Sequence, residues 1–490
     1  MPDSAKLHQV LRRLAEGLGS GGEGKSDGVL SADFEKDCVE LETALQAGFV
    51  NFSEISDSAD FQDVLIKAVL SLAQRTRLPQ TVTNENEDQH FREIAERTVV
   101  PTNAITAILS SLDRAARPLD DGQETKDGVQ RLGSDVAAAV APHCLVLIAT
   151  HGGRHPWTND RSRTACEGLS ETLCELCGRE STGSLLMGEH DWDGAGQDGG
   201  FFGQVLTVLR ERLTRADWHK EPGTREAFGW CLLQIKQPLL GNHLDAVLPP
   251  SLLFLDDYKM SNKLLGLLCL RHIIDNVAPA ELRLYGRAVV IYEALHHHLF
   301  TQKAALIGQL LPCLIRILAV VERSPHKADQ QRKPSRYDAV LQIVLSSMEF
   351  EQNLALRRAY AKNLPAFIDS MGIAILRHMK ALMRVIVRYL NASEGLDDVS
   401  TQSTLQSLHA LILQAWPRIS GHWECMMTTL LKLLYDVCED SDGQSDNDVR
   451  QALMNGCVDC MILLRRCCGE VATEALREVL TVPTGRASFG

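Results

Sequence analysis

Two pairs of cysteines have the spacing at which thiolates bind zinc. "CELC" places Cys174 three positions before Cys177, and "CVDC" does the same with Cys457 and Cys460. Four such thiolates can hold one zinc ion in a tetrahedron. The pairs are 283 residues apart (457 minus 174), and each lies in an apolar helical stretch. Because structural zinc modules keep their pairs within about 20 residues, we interpret these thiols as small packing groups.

Histidines are the second group that could do chemistry, as general bases or metal ligands. "HGGRHPW" brings His151 and His155 close in sequence to His143, but no nucleophile or carboxylate accompanies them at a useful spacing. Residues 296–298 are three consecutive histidines, whose side chains point about 100° apart on a helix and cannot converge on one ion. Loop and helix-end roles are the better interpretation.

An acidic loop resembles the start of a calcium site. "DWDGAGQDGG" (191–200) has the acid-x-acid-glycine order, but the twelfth position, where an EF-hand needs a bidentate glutamate, is Phe202. The sequence also contains no GxSxG, no P-loop and no GxGxxG. We therefore predict no catalytic residue, no metal site, no cofactor and no enzyme activity.

One helix face could instead bind a protein. Arg377, Lys380, Arg384 and Arg388 follow one another at +3, +7 and +11, so they share one side of a helix. The opposite side is apolar, with residues at steps of three and four: Leu376, Met379, Met383, Val387 and Leu390. These four cations could dock an acidic partner, and a solvated helix face is the alternative.

Composition limits the class of partner and the compartment. Lys and Arg number 50 against 63 Asp and Glu, a net charge of −13, which disfavours general binding to nucleic acid. The start, "MPDSAKLHQVLRRLAEG", has no apolar core of signal-peptide type, so we expect a reducing cytoplasm or nucleus and free thiols. The longest weakly polar stretch, 136–150, falls short of about 18 apolar residues, so we expect no membrane helix.

The elements that must position these residues are helices. Aromatic residues are only 5% of the chain while Leu and Ala are abundant, which favours helices over strands. Leu405, Leu408, Ile412 and Ala415 repeat the apolar stripe. Polar, glycine-rich breaks separate the helical stretches at 17–33, 118–135, 178–203, 324–336, 391–402 and 439–448.

A repeated pattern predicts how the helices are arranged. A basic residue followed three positions later by a small or apolar one recurs at Arg163, Arg225, Lys263, Lys303, Arg358 and Arg450. Successive gaps are 62, 38, 40, 55 and 92, and two of them match the period of about 40 to 47 residues in HEAT and armadillo repeats. We therefore predict an all-α, HEAT/armadillo-like α-solenoid of antiparallel helix pairs.

Four residues are predicted to be architectural in this solenoid. Asp257 at a turn and Lys263 six positions later are expected to pair across adjacent repeats, and Arg358 occupies the position equivalent to Lys263. Gly266 is expected to let two helices approach closely. Glycine destabilises the helix by about 1 kcal/mol relative to alanine.

Long strings of this sequence resemble one family. "SLLFLDDYKMSNKLLGLLCLRHIIDNVAPAELRLYGRAVVIYEALHHHLF" (251–300) and "LRRAYAKNLPAFIDSMGIAILRHMKALMRVIVRYL" (356–390) closely resemble the TELO-two-interacting protein two family, as do "PWTNDRSR" (156–163) and "QAWPRI" (414–419). The resemblance covers about residues 140 to 470. It indicates a divergent N-terminal helical region with flexible linkers over 1–135 and a HEAT-like solenoid over 136–490.

The resemblance implies a function as well as a fold. Members of the family are the smallest subunit of the Triple T (TTT) cochaperone complex, in which they bind two larger solenoid proteins of the TELO-two and Tti-one type. With heat-shock protein 90 and its ATPase-containing cochaperone, the complex stabilises phosphatidylinositol 3-kinase-related kinases and supports DNA-damage and growth signalling. A cytoplasmic and nuclear scaffold without catalysis is expected, with no direct contact to nucleic acid or membrane.

Two alternatives remain open at the level of sequence. One is a different HEAT adaptor, such as a transport or phosphatase scaffold. The other is a zinc- or thiol-dependent enzyme that uses the CxxC pairs and the histidines.

Overall fold

Helices account for nearly all of the regular structure. A computed structural model describes residues 2–16, 32–46, 59–78, 87–116, 126–188, 200–216, 218–322, 333–391, 398–439 and 447–469. No β-strand occurs within these ranges. The loop at 191–200 that resembles a calcium site lies outside them, apart from Gly200.

The chain forms two compact units, Met1–Pro250 and Ser251–Gly490. The predicted division at residue 135 rests on where the family resemblance begins, and it stays a prediction. Helices α1 to α9 of the first unit are Pro2–Glu16, Ala32–Gln46, Ala59–Arg75, Glu87–Ala116, Lys126–His151, Asp160–Leu176, Thr182–Met187, Phe202–Arg210 and Pro222–Gln234. A 3₁₀ segment, Leu239–His243, leads to α10, Leu244–Leu255, in which the division between the units falls.

The second unit continues the helical pattern. Helices α11 to α20 are Met260–Asn276, Pro279–Arg283, Arg287–His297, Ala304–Val321, Arg336–Phe350, Leu354–Met371, Met379–Leu390, Asp398–Ile419, Trp423–Glu439 and Asn447–Cys468. Among the residues that the structure describes, 3₁₀ segments lie between these helices at Leu284–Gly286, His298–Phe300 and Gly372–His378.

Side-chain caps fix where several helices begin. In α6 and α15 the capping residue, Asn159 or Ser335, exchanges hydrogen bonds with the residue three positions on, Ser162 or Asp338. Asn353 accepts from two backbone N–H groups at the start of α16. These side chains satisfy N–H groups that have no partner inside the helix.

Within each unit the helices stack in two rows. In the second unit α11, α14, α16, α18 and α20 pack in succession, and α15, α17 and α19 form the other row. Consecutive helices pair across the rows, as in α13 with α14 and α19 with α20. In the first unit α1, α3 and α5 form one row, and α2, α4 and α6 the other. The predicted all-α solenoid of helix pairs is thus confirmed.

Two helices are longer and more apolar than the sequence led us to expect. Arg131–His151 in α5 and Ala304–Val321 in α14 are long and apolar enough to cross a membrane by length and composition alone. Both are core helices of their units, since α5 packs on α3, α4, α6, α8 and α9, and α14 on α11, α13 and α16. A helix with neighbours on most sides is apolar on most sides.

The recurring basic residues mark one position of the repeat. Each lies at or near the start of the second helix of a pair: it is the fourth residue of α6, α9, α11 and α20, the fifth of α16, and the residue before α14. The fourth residue of α18 is Thr401, which explains why the gap between Arg358 and Arg450 spans two repeats. Arg358 lies on an exposed face of α16.

The predicted pairing of Asp257 with Lys263 is wrong. Asp257 accepts a short hydrogen bond from the Asn262 amide, whereas Lys263 Nζ donates to the backbone oxygen of Leu255, the last residue of α10, at 3.3 Å. Arg450 does the same for α19, donating to the Cys438 oxygen at 2.8 Å. A cation at a helix C-terminus satisfies an unpaired carbonyl and opposes the negative end of the helix dipole.

Gly266 makes the close approach that was predicted for it. A Cβ atom at this position would lie 2.5 Å from the backbone nitrogen of Leu255 and 2.9 Å from its Cα. Real Cβ atoms do not come so close to backbone, so only glycine allows α11 to pack on the end of α10.

We expect Gly266→Ala to lower the free energy of unfolding by about 1–3 kcal/mol, because the methyl group forces the two backbones apart. Urea denaturation measures the change. The matched control is Gly308→Ala in α14, where an added Cβ meets nothing within 4 Å. The free energy of unfolding of Gly308→Ala should rise by about 0.5–1 kcal/mol, because alanine favours the helix over glycine. A Gly266→Ala protein as stable as this control would contradict the close approach.

Lys263→Met keeps the apolar stem but removes the bond to the Leu255 oxygen. We expect the free energy of unfolding to fall by about 1 kcal/mol. A lower melting temperature would report this loss. Lys362→Met, on the exposed face of α16, is the control and should leave melting unchanged. Equal melting temperatures for the two variants would show that the helix-end bond contributes nothing.

Candidate functional site

The four predicted basic residues lie on one exposed surface. Lys380, Arg384 and Arg388 project from α17, whose opposite side buries Leu382 and Ile386. Arg377 is also exposed but precedes α17, in the 3₁₀ segment Gly372–His378. The four cations therefore share a surface, as predicted, although the first of them is not on the helix itself. We call this surface the basic stripe.

Three of these four cations contact other residues of the chain. Arg384 Nη2 lies 3.4 Å from the Glu349 carboxylate, and Arg388 donates a short hydrogen bond to the Glu349 backbone oxygen. Arg377 lies 3.8 Å from Asp338. Lys380 has no ion-pair partner within the described part of the chain. The basic stripe thus links α17 to α15 and still presents more positive than negative charge.

Asp338 is the residue that sequence reasoning missed at this junction. The residue is 4% exposed, and its carboxylate accepts hydrogen bonds from Ser335 N at 2.7 Å and Ser335 Oγ at 2.9 Å. It also accepts from His378 Nε2 at 2.9 Å. One carboxylate therefore caps α15 and holds the segment before α17. The signal that could have revealed it is "SRYD", a serine with an acid three positions on before an apolar run.

The cysteine pairs are packing residues in their surroundings. Cys174, Cys457 and Cys460 are buried and Cys177 is half-buried. Burial raises the pKa of Cys177 and of Cys457 to about 11 and that of Cys460 to about 12, which agrees with thiols packed as small apolar groups. No group of three or more His, Cys, Asp or Glu side chains in the described ranges could hold a metal ion.

The histidines of "HGGRHPW" are parts of a helix end. His151 Nε2 donates to the Thr76 backbone oxygen at 2.9 Å, and Trp157 Nε1 donates to the Thr150 oxygen at 3.1 Å. The His155 ring stacks on Trp157 with centroids 4.8 Å apart. These contacts fasten the turn after α5, which agrees with the loop and helix-end roles predicted for them. At 296–298, burial and the Lys263 charge lower the pKa of His298 to about 4.

A small polar cavity lies beside this turn in the first unit. Its volume is about 40 Å³, and Arg77, His143, His151, Arg212 and Glu221 are among its lining residues. Arg212 and Glu221 pair at 3.5 Å. Burial, with the nearby Arg77 and Arg212 charges, lowers the pKa of His143. The space suits a few water molecules and is too small for a substrate.

A pH dependence follows from the burial of His151. Burial lowers the pKa of its imidazole to about 4, against about 6.5 in the unfolded chain. The unfolded state therefore binds a proton that the folded state excludes. The stabilisation is complete above pH 6.5 and is lost as the pH falls from 6.5 towards 4.

At pH 5 we expect the free energy of unfolding of the wild-type protein to be about 2 kcal/mol lower than at neutral pH because of His151. His151→Gln keeps a donor for the Thr76 oxygen but does not titrate, so its stability should fall less between pH 7.5 and pH 5. Urea denaturation at both pH values measures the difference. Parallel losses in the two proteins would mean that His151 is already protonated in the folded state or does not contribute.

The amino-acid sequence is similar to one family model and to several known proteins. The family model described as "Tti2 family" matches residues 202–397. "TELO2-interacting protein 2" of Homo sapiens is 37% identical over 323 residues, which are 66% of this chain and 62% of that protein. The Mus musculus protein of the same name is 33% identical over 376 residues, which are 76% of this chain and 70% of the relative.

A crystal structure of Kap121p aligns with a TM-score of 0.44 and 12% identity, over 97% of this chain and 47% of that one. At that score the likeness adds nothing to the assignment. The chain spans about 62% of the human relative's length but 70% of the mouse relative's at 33% identity. On that sequence similarity, the chain belongs to the Tti2 family.

Proposed function

We propose that this chain is a non-catalytic scaffold subunit of the TTT cochaperone complex. It binds the two larger solenoid subunits, of the TELO-two and Tti-one type. Through that complex it works with heat-shock protein 90 to stabilise phosphatidylinositol 3-kinase-related kinases, in the cytoplasm and the nucleus. The observation that carries the proposal is the 33% identity to TELO2-interacting protein 2 of Mus musculus over 376 residues, since that name states an interaction with TELO2.

The physical character of the chain supports a scaffold. Stacked helix pairs leave long exposed helix faces, which suit protein partners better than small substrates. The cysteines and histidines that could do chemistry are used in packing and helix-end contacts, and the cavity beside α5 is small. The basic stripe supplies one candidate surface for an acidic partner.

Acute depletion of the chain in cells of its own organism tests the function. The steady-state levels of the phosphatidylinositol 3-kinase-related kinases should fall while their messenger RNA stays constant, because the newly made kinases are no longer stabilised. Re-expression of the wild-type chain should restore them. Unchanged kinase levels in cells that have lost the protein would overturn the proposal.

The basic stripe gives this function a residue-level prediction. Lys380→Glu combined with Arg384→Glu should weaken binding to the larger subunits and should restore the kinases poorly. Melting should change little, because Arg384 is exposed and its partner Glu349 is only half-buried, and ion pairs at the surface contribute at most about 1 kcal/mol. The binding defect should shrink as salt rises to about 0.5 M, where exposed charges are screened.

Lys432→Glu combined with Arg466→Glu is the matched control. Both residues are exposed, on α19 and α20, and the pair makes the same change in net charge. It should bind and restore the kinases as the wild type does. If the stripe variant also behaves as the wild type at low salt, the stripe is a solvated helix face.

A further inference from the structure

A second surface of the same unit has the opposite charge. A groove of about 440 Å³ crosses the exposed side of the row formed by α16, α18 and α20. Asp369 of α16 and Asp459 of α20 line it on either side of α18. None of its twelve lining residues, all in the described part of the chain, is Lys or Arg. Arg358 and Lys362 lie on earlier turns of α16, outside the lining.

The floor of the groove is rich in polar side chains that can form hydrogen bonds with a ligand. Gln402, Gln406 and His409 of α18 line it, and none of the three has a hydrogen-bond partner among the residues that the structure describes. The same holds for Asp459. Asp369 has one bond, from Gln414 at 3.4 Å. Amide side chains both donate and accept, so they can bind the backbone of a peptide in either direction.

An apolar anchor lies at one end of this polar floor. Leu413 lines the groove and is 51% exposed, and Trp416, one turn further along α18, is 64% exposed. Exposed Trp side chains beside a groove are typical of the residues that dominate binding energy at protein interfaces. At Gly456 an added Cβ would lie 3.3 Å from Leu405, so the missing side chain lets α20 pack closely on α18.

We infer that this groove binds a segment of a partner protein in which Lys or Arg residues flank an apolar residue. Asp369 and Asp459 receive the cations, the amides of α18 bind the segment's backbone, and Leu413 and Trp416 contact its apolar side chain. Charge complementarity selects this occupant, because the lining carries two carboxylates and no cation. The inference rests on the proposed function, which supplies the larger subunits as the source of the segment.

Charge reversal in the assembled complex tests the groove. Asp369→Lys combined with Asp459→Lys should reduce the affinity for the larger subunits at least tenfold at low salt. The matched control, Glu424→Lys combined with Asp448→Lys, changes two exposed acids of α19 and α20 outside the groove lining and should stay within twofold of the wild type. Equal losses from both variants would overturn the inference, since they would reflect net charge only.

Photo-crosslinking identifies the occupant directly. With p-benzoylphenylalanine in place of Gln406, the crosslinked peptide should come from a larger subunit and contain basic residues on both sides of an apolar one. A crosslink to an acidic segment, or to a second copy of this chain distinguished by isotope labelling, would overturn it. If the wild-type chain fails to assemble at all, the proposed function fails with it. Normal assembly by the groove variant would remove this inference alone.

Discussion

Each helix of this protein can bury its apolar side only against neighbouring helices, both those of its own row and the consecutive helices of the other row. In α14, Leu310, Leu314 and Ile317 are fully buried, and α14 packs on α11, α13 and α16. Burial of each such side chain stabilises the fold by about 1.5–3 kcal/mol. An isolated helix would lose this stabilisation. This constraint explains why the helices stack in rows, why Gly266 must be small, and why the outer faces are free for charge.

Polar contacts then set how neighbouring helices meet. Lys263 and Arg450 each bind a backbone carbonyl at the end of the preceding helix, and the buried Asp338 joins the start of α15 to His378 before α17. Hydrogen bonds to charged groups contribute more than neutral ones, and they also specify one register. With the register fixed, α17 presents the basic stripe on one row of helices, and α16, α18 and α20 present the acidic groove on the other.

The sequence predicts the class of fold because leucine spacing and the recurring basic residues are local signals. The basic residues mark the starts of second helices, and the close approach at Gly266 could be inferred from its place in that pattern. The partner of Lys263 could not, since its acceptor is a backbone carbonyl, which every residue carries. The groove gave no signal because its lining residues lie as far apart as Pro365 and Asp459. The apolar length of α5 was likewise underestimated, because it depends on how many helices surround it.

The central claim is that the chain works as a subunit bound through its surfaces, without chemistry of its own. Native mass spectrometry of the chain purified with its two larger partners tests this most directly. The account predicts a stable complex with one copy of each of the three proteins, without a bound metal or cofactor on this chain. A chain that stays alone in the presence of both partners, or that carries stoichiometric zinc, would contradict it.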